Sequence, residues 1–231
     1  MKKGLLALGA LFAICLSMLA TDMVVKQKNG EDWKINVDEV EEVVFEETIP
    51  EDSTVMDVSE TFLRFNILSD STVEVTRESD NDLTYIGHDT ITIPEKVRID
   101  GKIYTVKSIG RCAFGGCVSV TNINIPKSVT DIGELAFSDC LSLTSIEIPE
   151  GVTSIGAGAF SGCSNLASIN IPEGVTSIEG YAFSYCESLT SIDIPDGVTT
   201  IEGSTFKRCS SLTSINFPDG VTSIGAGAFE D

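Results

Sequence analysis

Cys140-Leu-Ser-Leu-Thr-Ser-Ile-Glu-Ile-Pro-Glu-Gly-Val-Thr-Ser-Ile-Gly-Ala-Gly-Ala-Phe-Ser-Gly162 is one unit of a tandem array. Phenylalanine recurs every 23 residues, at Phe114, Phe137, Phe160, Phe183, Phe206 and Phe229. Cysteine keeps the same step (Cys117, Cys140, Cys163, Cys186, Cys209), as does proline (Pro126, Pro149, Pro172, Pro195, Pro218). A fixed period of this length marks a solenoid or related array.

Within the unit, Ile146 and Ile148 alternate with Ser145 and Glu147, the two-residue period of a half-buried strand. Pro149 has no N–H to give to a ladder and ends that strand. Pro149-Glu-Gly151 reads as a tight turn, and Val152–Ile155 as a second short strand. Gly156–Gly162 carries the chain around a buried Ala159-Phe160 pair to the next unit. The apolar set is Cys140, Leu143, Ile146, Ile148, Val152, Ile155, Ala159 and Phe160. Eight side chains are too few to fold alone, so the units must stack, like on like, with stability summing over neighbours. The Gly156 column holds Glu179 and Glu202, so it does not demand a positive φ. The stricter Gly151 column is expected to need one.

The pattern Cys-x-x-Leu-x-x-Ile-x-Ile-Pro-x-x-Val-x-x-Ile-Gly-x-x-Ala-Phe resembles the BspA-like leucine-rich repeat, in tandem from Cys117 to Asp231. The resemblance implies a leucine-rich repeat solenoid, mostly β with short strands, turns and little helix, with a β-hairpin-rich N-terminal cap. It also implies a bacterial protein outside the cell, often an adhesin or host-protein binder. Residues 61–116 resemble the family's β-rich cap, in which Thr90–Pro94 and Tyr104–Phe114 form an imperfect first repeat interrupted by Arg98–Lys102.

Ahead of the array, Met1-Lys2-Lys3 and the apolar run Leu5–Ala20 read as a signal peptide over 1–20. The run is short for a membrane span. Residues 21–60 form an acidic β segment and linker. Met23–Val37 reads as a hairpin around Asn29-Gly30, and Thr48–Glu60 as a polar linker. Leu63–Ser69 and Thr72–Thr76 read as a second hairpin covering the N-terminal edge of the solenoid. At the other end the sequence stops at Phe229-Glu-Asp231 without an atypical closing unit.

The chain carries 35 acids against 15 bases, a net charge of −20. That disfavours nucleic acid, which needs a basic stripe, and equally an anionic membrane surface. Five of the seven cysteines fill one inward column and read as free buried thiols; Cys112 with Cys117 is the one pair left open to bridging. No metal spacing accompanies them. The sole histidine, His88, reads as an exposed turn residue. No nucleotide loop, nucleophile elbow or carboxylate dyad stands out, so catalytic, cofactor and metal sites are all read as none and the chain as no enzyme.

Two surfaces are candidates for a partner, a protein or a glycan. One is the solvent side of the first strand: Asn124, Glu147, Asn170, Asp193 and Asn216, beside Asn122, Ser145, Ser168, Ser191 and Ser214. The other lies where the columns vary, around the phenylalanine: Tyr181, Tyr185, Lys207 and Arg208. There an internal Tyr185–Arg208 cation–π contact with Arg208–Asp231 and Lys207–Glu230 pairs competes with docking of a partner. The function expected is a secreted or cell-surface, non-enzymatic binding solenoid, with adhesion as its role. A structural spacer in a larger surface assembly is the alternative, and an exported hydrolase the least favoured.

Overall fold

The computed structural model describes residues 55–77, 85 and 88–231, together with the backbone of four short strands nearer the N-terminus. The chain divides into two compact units, 1–53 and 54–231. In the first, β1 (Ala7–Leu8) pairs parallel with β4 (Glu46–Glu47). There β2 (Asp22–Lys26) and β3 (Asp32–Asn36) pair antiparallel, with Val24 opposite Lys34. The expected signal peptide and its cleavage site fall almost wholly outside the described residues.

The second unit starts inside the stretch read as a linker. Val55–Asp57 is a strand, β5, and a single 3-10 turn follows at Val58–Glu60, capped by the Asp57 carboxylate accepting from the Ser59 N–H at 3.0 Å. Then β6 (Arg64–Ile67) and β7 (Thr72–Thr76) form an antiparallel hairpin. Beyond β8 (Thr90–Thr92), β9 (Lys96–Ile99) and β10 (Lys102–Ile109) form a second hairpin, and β5 adds to β9. The interrupting stretch Arg98–Lys102 is the turn of that hairpin. Its two central residues, Asp100 and Gly101, have φ of 50° and 78°, the left-handed pair that a two-residue turn matching strand twist requires.

From there each coil contributes two strands. The first strands are β11 (Asn122–Asn124), β13 (Ser145–Glu147), β15 (Ser168–Asn170), β17 (Ser191–Asp193) and β19 (Ser214–Asn216). The second strands are β12 (Asp131–Ile132), β14 (Ser154–Ile155), β16 (Ser177–Ile178), β18 (Thr200–Ile201) and β20 (Ser223–Ile224). All pair in parallel, β11 with β8 across 32 positions and the others with residues 23 positions away, so Ile146 faces Ile169 and Ile155 faces Ile178. The second-strand sheet runs β6-β7-β10-β12-β14-β16. The β6–β7 hairpin therefore sits at its N-terminal edge, where an open strand would invite association.

All eight apolar positions of the 140–162 unit are buried. The phenylalanine rings form one continuous stack, with centroids 5.2–5.7 Å apart and planes within 12° from Phe114 to Phe229. Tyr85 extends it into the cap, 5.2 Å from Phe114. Phe229, which stacks on Phe206 alone, is 43% exposed. His88 departs from expectation: it is half-buried, and its ring stacks on Phe62 at 3.9 Å.

The six described cysteines are free and buried, Cys112 and Cys117 included. Their thiols also make a ladder. Cys140, Cys163, Cys186 and Cys209 each donate to the carbonyl of a phenylalanine 26 residues earlier, at 3.1–3.3 Å.

The glycine columns need a correction. Gly151, Gly174, Gly197 and Gly220 are absent from the positive-φ residues. What they avoid is contact: a Cβ at Gly151 would lie 3.3 Å from the carbonyls of Lys127 and Val129. The Gly156 column is tighter still. A Cβ at Gly133 would come within 2.8 Å of the Ile109 carbonyl and at Gly156 within 2.7 Å of Glu134 N. Where that column places two glutamates in succession, Glu179 and Glu202, the second-strand ladder is interrupted between β16 and β18. Gly133→Ala should therefore lower stability by about 1–3 kcal/mol, as an overpacked site does. A urea midpoint unchanged from wild type would contradict the close-approach explanation.

Candidate functional site

The loop that returns each coil to the next carries two left-handed residues, four positions apart. The pairs are Cys112/Gly116, Leu135/Asp139, Gly158/Gly162, Tyr181/Tyr185 and Ser204/Arg208, with φ from 53° to 77°. Left-handed backbone is cheap for glycine and costs other L-residues about 1–2 kcal/mol. The array imposes it all the same, because the loop N–H groups reach the carbonyls of the following coil. Tyr181 N donates to Gly203 O at 3.1 Å, Tyr185 N to Lys207 O at 2.7 Å, and Arg208 N to Glu230 O at 2.7 Å. Neighbouring coils thus determine the backbone, and the side chain has little say in it.

These are the columns that vary in sequence, so three of the four loop candidates stand on strained backbone. Tyr181 is 56% exposed and Tyr185 45%, while Arg208 is exposed and Lys207 half-buried. The Lys207 ammonium bonds the Glu230 carboxylate at 2.8 Å. That bond, then the Glu230 charge, hold Lys207 above its usual pKa, with smaller contributions from Tyr185 and Tyr181. Glu230 is lowered first by the same hydrogen bond and charge, with a lesser effect from Arg208.

The expected Lys207–Glu230 pair is thus present. The expected Arg208–Asp231 pair and Tyr185–Arg208 cation–π contact are not found among the described residues, where the cation–π contact is Lys102 over Tyr104. The Arg208 guanidinium and the two phenol hydroxyls make no hydrogen bond with any described residue.

The strand-face candidates behave differently. Asn124, Glu147, Asn170, Asp193 and Asn216 are all exposed, with Glu147 opposite Asn170 and Asp193 opposite Asn216. Part of this column is satisfied internally. Asn216 Nδ2 donates to Asp193 Oδ1, and Asn124 Nδ2 to Thr92 Oγ1 at 3.2 Å. No hydrogen bond or ion pair joins the strand column to the loop cluster.

The left-handed geometry was not read from the sequence, although its signal is there: Gly116, Gly158, Gly162 and Gly227 recur in these two columns. Among the described residues there is no cluster of three or more potential metal ligands, and no helix is long and apolar enough to cross a membrane.

Residues 91–209 match, in six copies, the family described as BspA type leucine rich repeat region. A leucine rich cell surface protein from Faecalibacterium prausnitzii A2-165 is similar in structure, with a TM-score of 0.60 and 32% identity over 72% of this chain and 50% of that one. The chain thus spans half the length of that relative. The leucine rich repeat protein of T. pallidum is similar at a TM-score of 0.57 and 26% identity, over 71% of this chain and 83% of that one. No curated protein matches the chain.

Proposed function

Because the chain belongs to the BspA-type leucine-rich repeat family, we propose that it is a non-enzymatic binding protein, exported and displayed outside the cell, where its solenoid adheres to another protein. The observation that carries this reading is the division of labour in the coil. Backbone bonds and buried ladders fix the framework, while two loop columns change from coil to coil, and two of those changes place tyrosines in solvent. Tyrosine and arginine are enriched where proteins dock.

Export rests on Met1-Lys2-Lys3 and the apolar run after it, the pattern of a signal peptide. The similarity to a protein described as a cell surface protein points the same way. The strong acidity keeps such a chain dispersed in an aqueous exterior.

A spacer role is the second reading. It is favoured by the strand face, where Asn216 bonds Asp193 and Asn124 bonds Thr92, so that part of the column is already engaged. A binding screen of the purified chain against extracellular-matrix proteins separates the two. Saturable binding at micromolar concentration or below is expected, and a flat response across the panel would leave the spacer. Fusion of residues 1–60 to a reporter should direct it out of a bacterial cell, and retention inside would remove the export claim.

A further inference from the structure

We propose that the two left-handed positions of the coil are the array's specificity positions, and that Tyr181, Tyr185 and Arg208 form one docking site there for a protein segment bearing an isolated carboxylate. The proposal rests on the binding reading above and names the place and the chemistry.

The same backbone conformation accepts leucine, glycine, tyrosine and serine in one column, and aspartate, glycine, tyrosine and arginine in the other. The backbone conformation therefore does not choose the residue, and where the position is exposed, as at Tyr181, Tyr185 and Arg208, packing does not choose it either. Bulky side chains in left-handed backbone are costly, and such outliers gather at functional sites. Here two of them, Tyr181 and Tyr185, are also the exposed aromatic rings of the middle coils.

Arg208 supplies the charge. It follows Tyr185 by one coil, the two being joined through the Tyr185 N–H to Lys207 O bond of 2.7 Å. Its guanidinium has no ion-pair partner among the described residues, whereas the Lys207 ammonium beside it is already held by Glu230 at 2.8 Å. A planar guanidinium with no ion-pair partner among the described residues suits one carboxylate, bound by paired N–H groups.

The charge of −20 repels an acidic tract at longer range, so the fitting segment carries a single acid among neutral residues. A protein is favoured over a small ligand by shape. Small molecules need a concave site that buries most of their surface. An open cleft of about 360 Å³ lies elsewhere, against Phe206, Leu212, Ile215, Phe217 and Phe229.

The probes are a peptide array of neutral 12-residue sequences each holding one glutamate, a copy with glutamine in its place, and an array of neutral and acidic glycans. The full chain is compared with Arg208→Gln and with Tyr181→Gly/Tyr185→Gly. Expected are peptides that bind the wild type and lose at least tenfold with glutamine in the peptide, with Arg208→Gln and with the double glycine variant.

The glycine variant should melt within a few degrees of wild type or above it, because released backbone strain offsets lost ring contact; a kilocalorie moves a chain of this size by about 2–4 °C. A fall beyond about 8 °C would make the tyrosines structural and overturn the assignment. So would binding indifferent to the carboxylate, or binding to glycans alone. Peptide binding that survives all the substitutions would sink this site while leaving the solenoid a binder. Silence of both arrays, together with a flat matrix-protein screen, would sink both readings.

Discussion

Phe160→Ala should destabilise the solenoid by about 3–5 kcal/mol, the range for emptying a large buried aromatic site. Phe160 is fully buried and stacks on both sides, 5.2 Å from Phe137 and 5.5 Å from Phe183. Two coils lose contact with one substitution, and in a stacked array that breaks two neighbour terms. Phe229→Ala is the internal comparison. It stacks on one side only, against Phe206 at 5.5 Å, and is 43% exposed, so about 1 kcal/mol is expected from its smaller loss of buried area. Urea unfolding of the two variants reads the difference. Equal losses would show that the stack is not the source of the coil's stability.

The second large effect concerns the thiols. Burial, then the neighbouring thiols Cys163 and Cys209, push Cys186 well above the ordinary thiol pKa, and burial pushes Cys209 up to about 11. Hydrogen bonding to Cys117, then to Cys163, and burial raise Cys140 as well; Cys117 is lowered, chiefly by its hydrogen bond with Cys140.

A thiol whose folded pKa lies above its unfolded value leaves the native state holding more protons than the unfolded one between the two. Stability from Cys186 and Cys209 is thus intact below about pH 9 and falls as the pH climbs toward 11. The urea midpoint should drop between pH 8 and 10.5, and Cys186→Ala/Cys209→Ala should flatten that drop. Alkylation follows the same logic. Because thiolate and access are both needed, native Cys140 and Cys186, buried and raised in pKa, should react about a thousandfold more slowly than in urea. Comparable rates in the two states would mean that the ladder opens locally.

Much of this was legible from one 23-residue unit. Ile146 and Ile148 alternate with polar residues and end at Pro149, and β13 stops where proline removes the donor. Cys163 looked like a core hydrophobe because its column is shared by four others, and its thiol is indeed buried and free. The Arg98–Lys102 interruption of the first repeat was legible too, although the hairpin turn at Asp100-Gly101 that accounts for it was not.

Other features were hidden because they belong to contacts between coils. The Gly151 column looked like a left-handed position, yet its glycine only makes room for the carbonyls of Lys127 and Val129. The columns that do turn left-handed looked merely variable, since tyrosine and arginine there obscure the glycines of other coils. His88 looked like a loop residue, and its stacking on Phe62 depends on a cap segment brought back from 26 residues earlier.

By itself the sequence determined the repeat length, the identity of the buried ladder and the family, because periodic burial writes the same residue at the same step. Only the tertiary structure decided which backbone positions are strained, which glycines are steric and that Lys207, not Arg208, pairs with a carboxylate among the described residues. Those properties arise between one coil and the next, where hydrogen bonds from the following coil hold the chain in conformations that no residue at the position would choose alone.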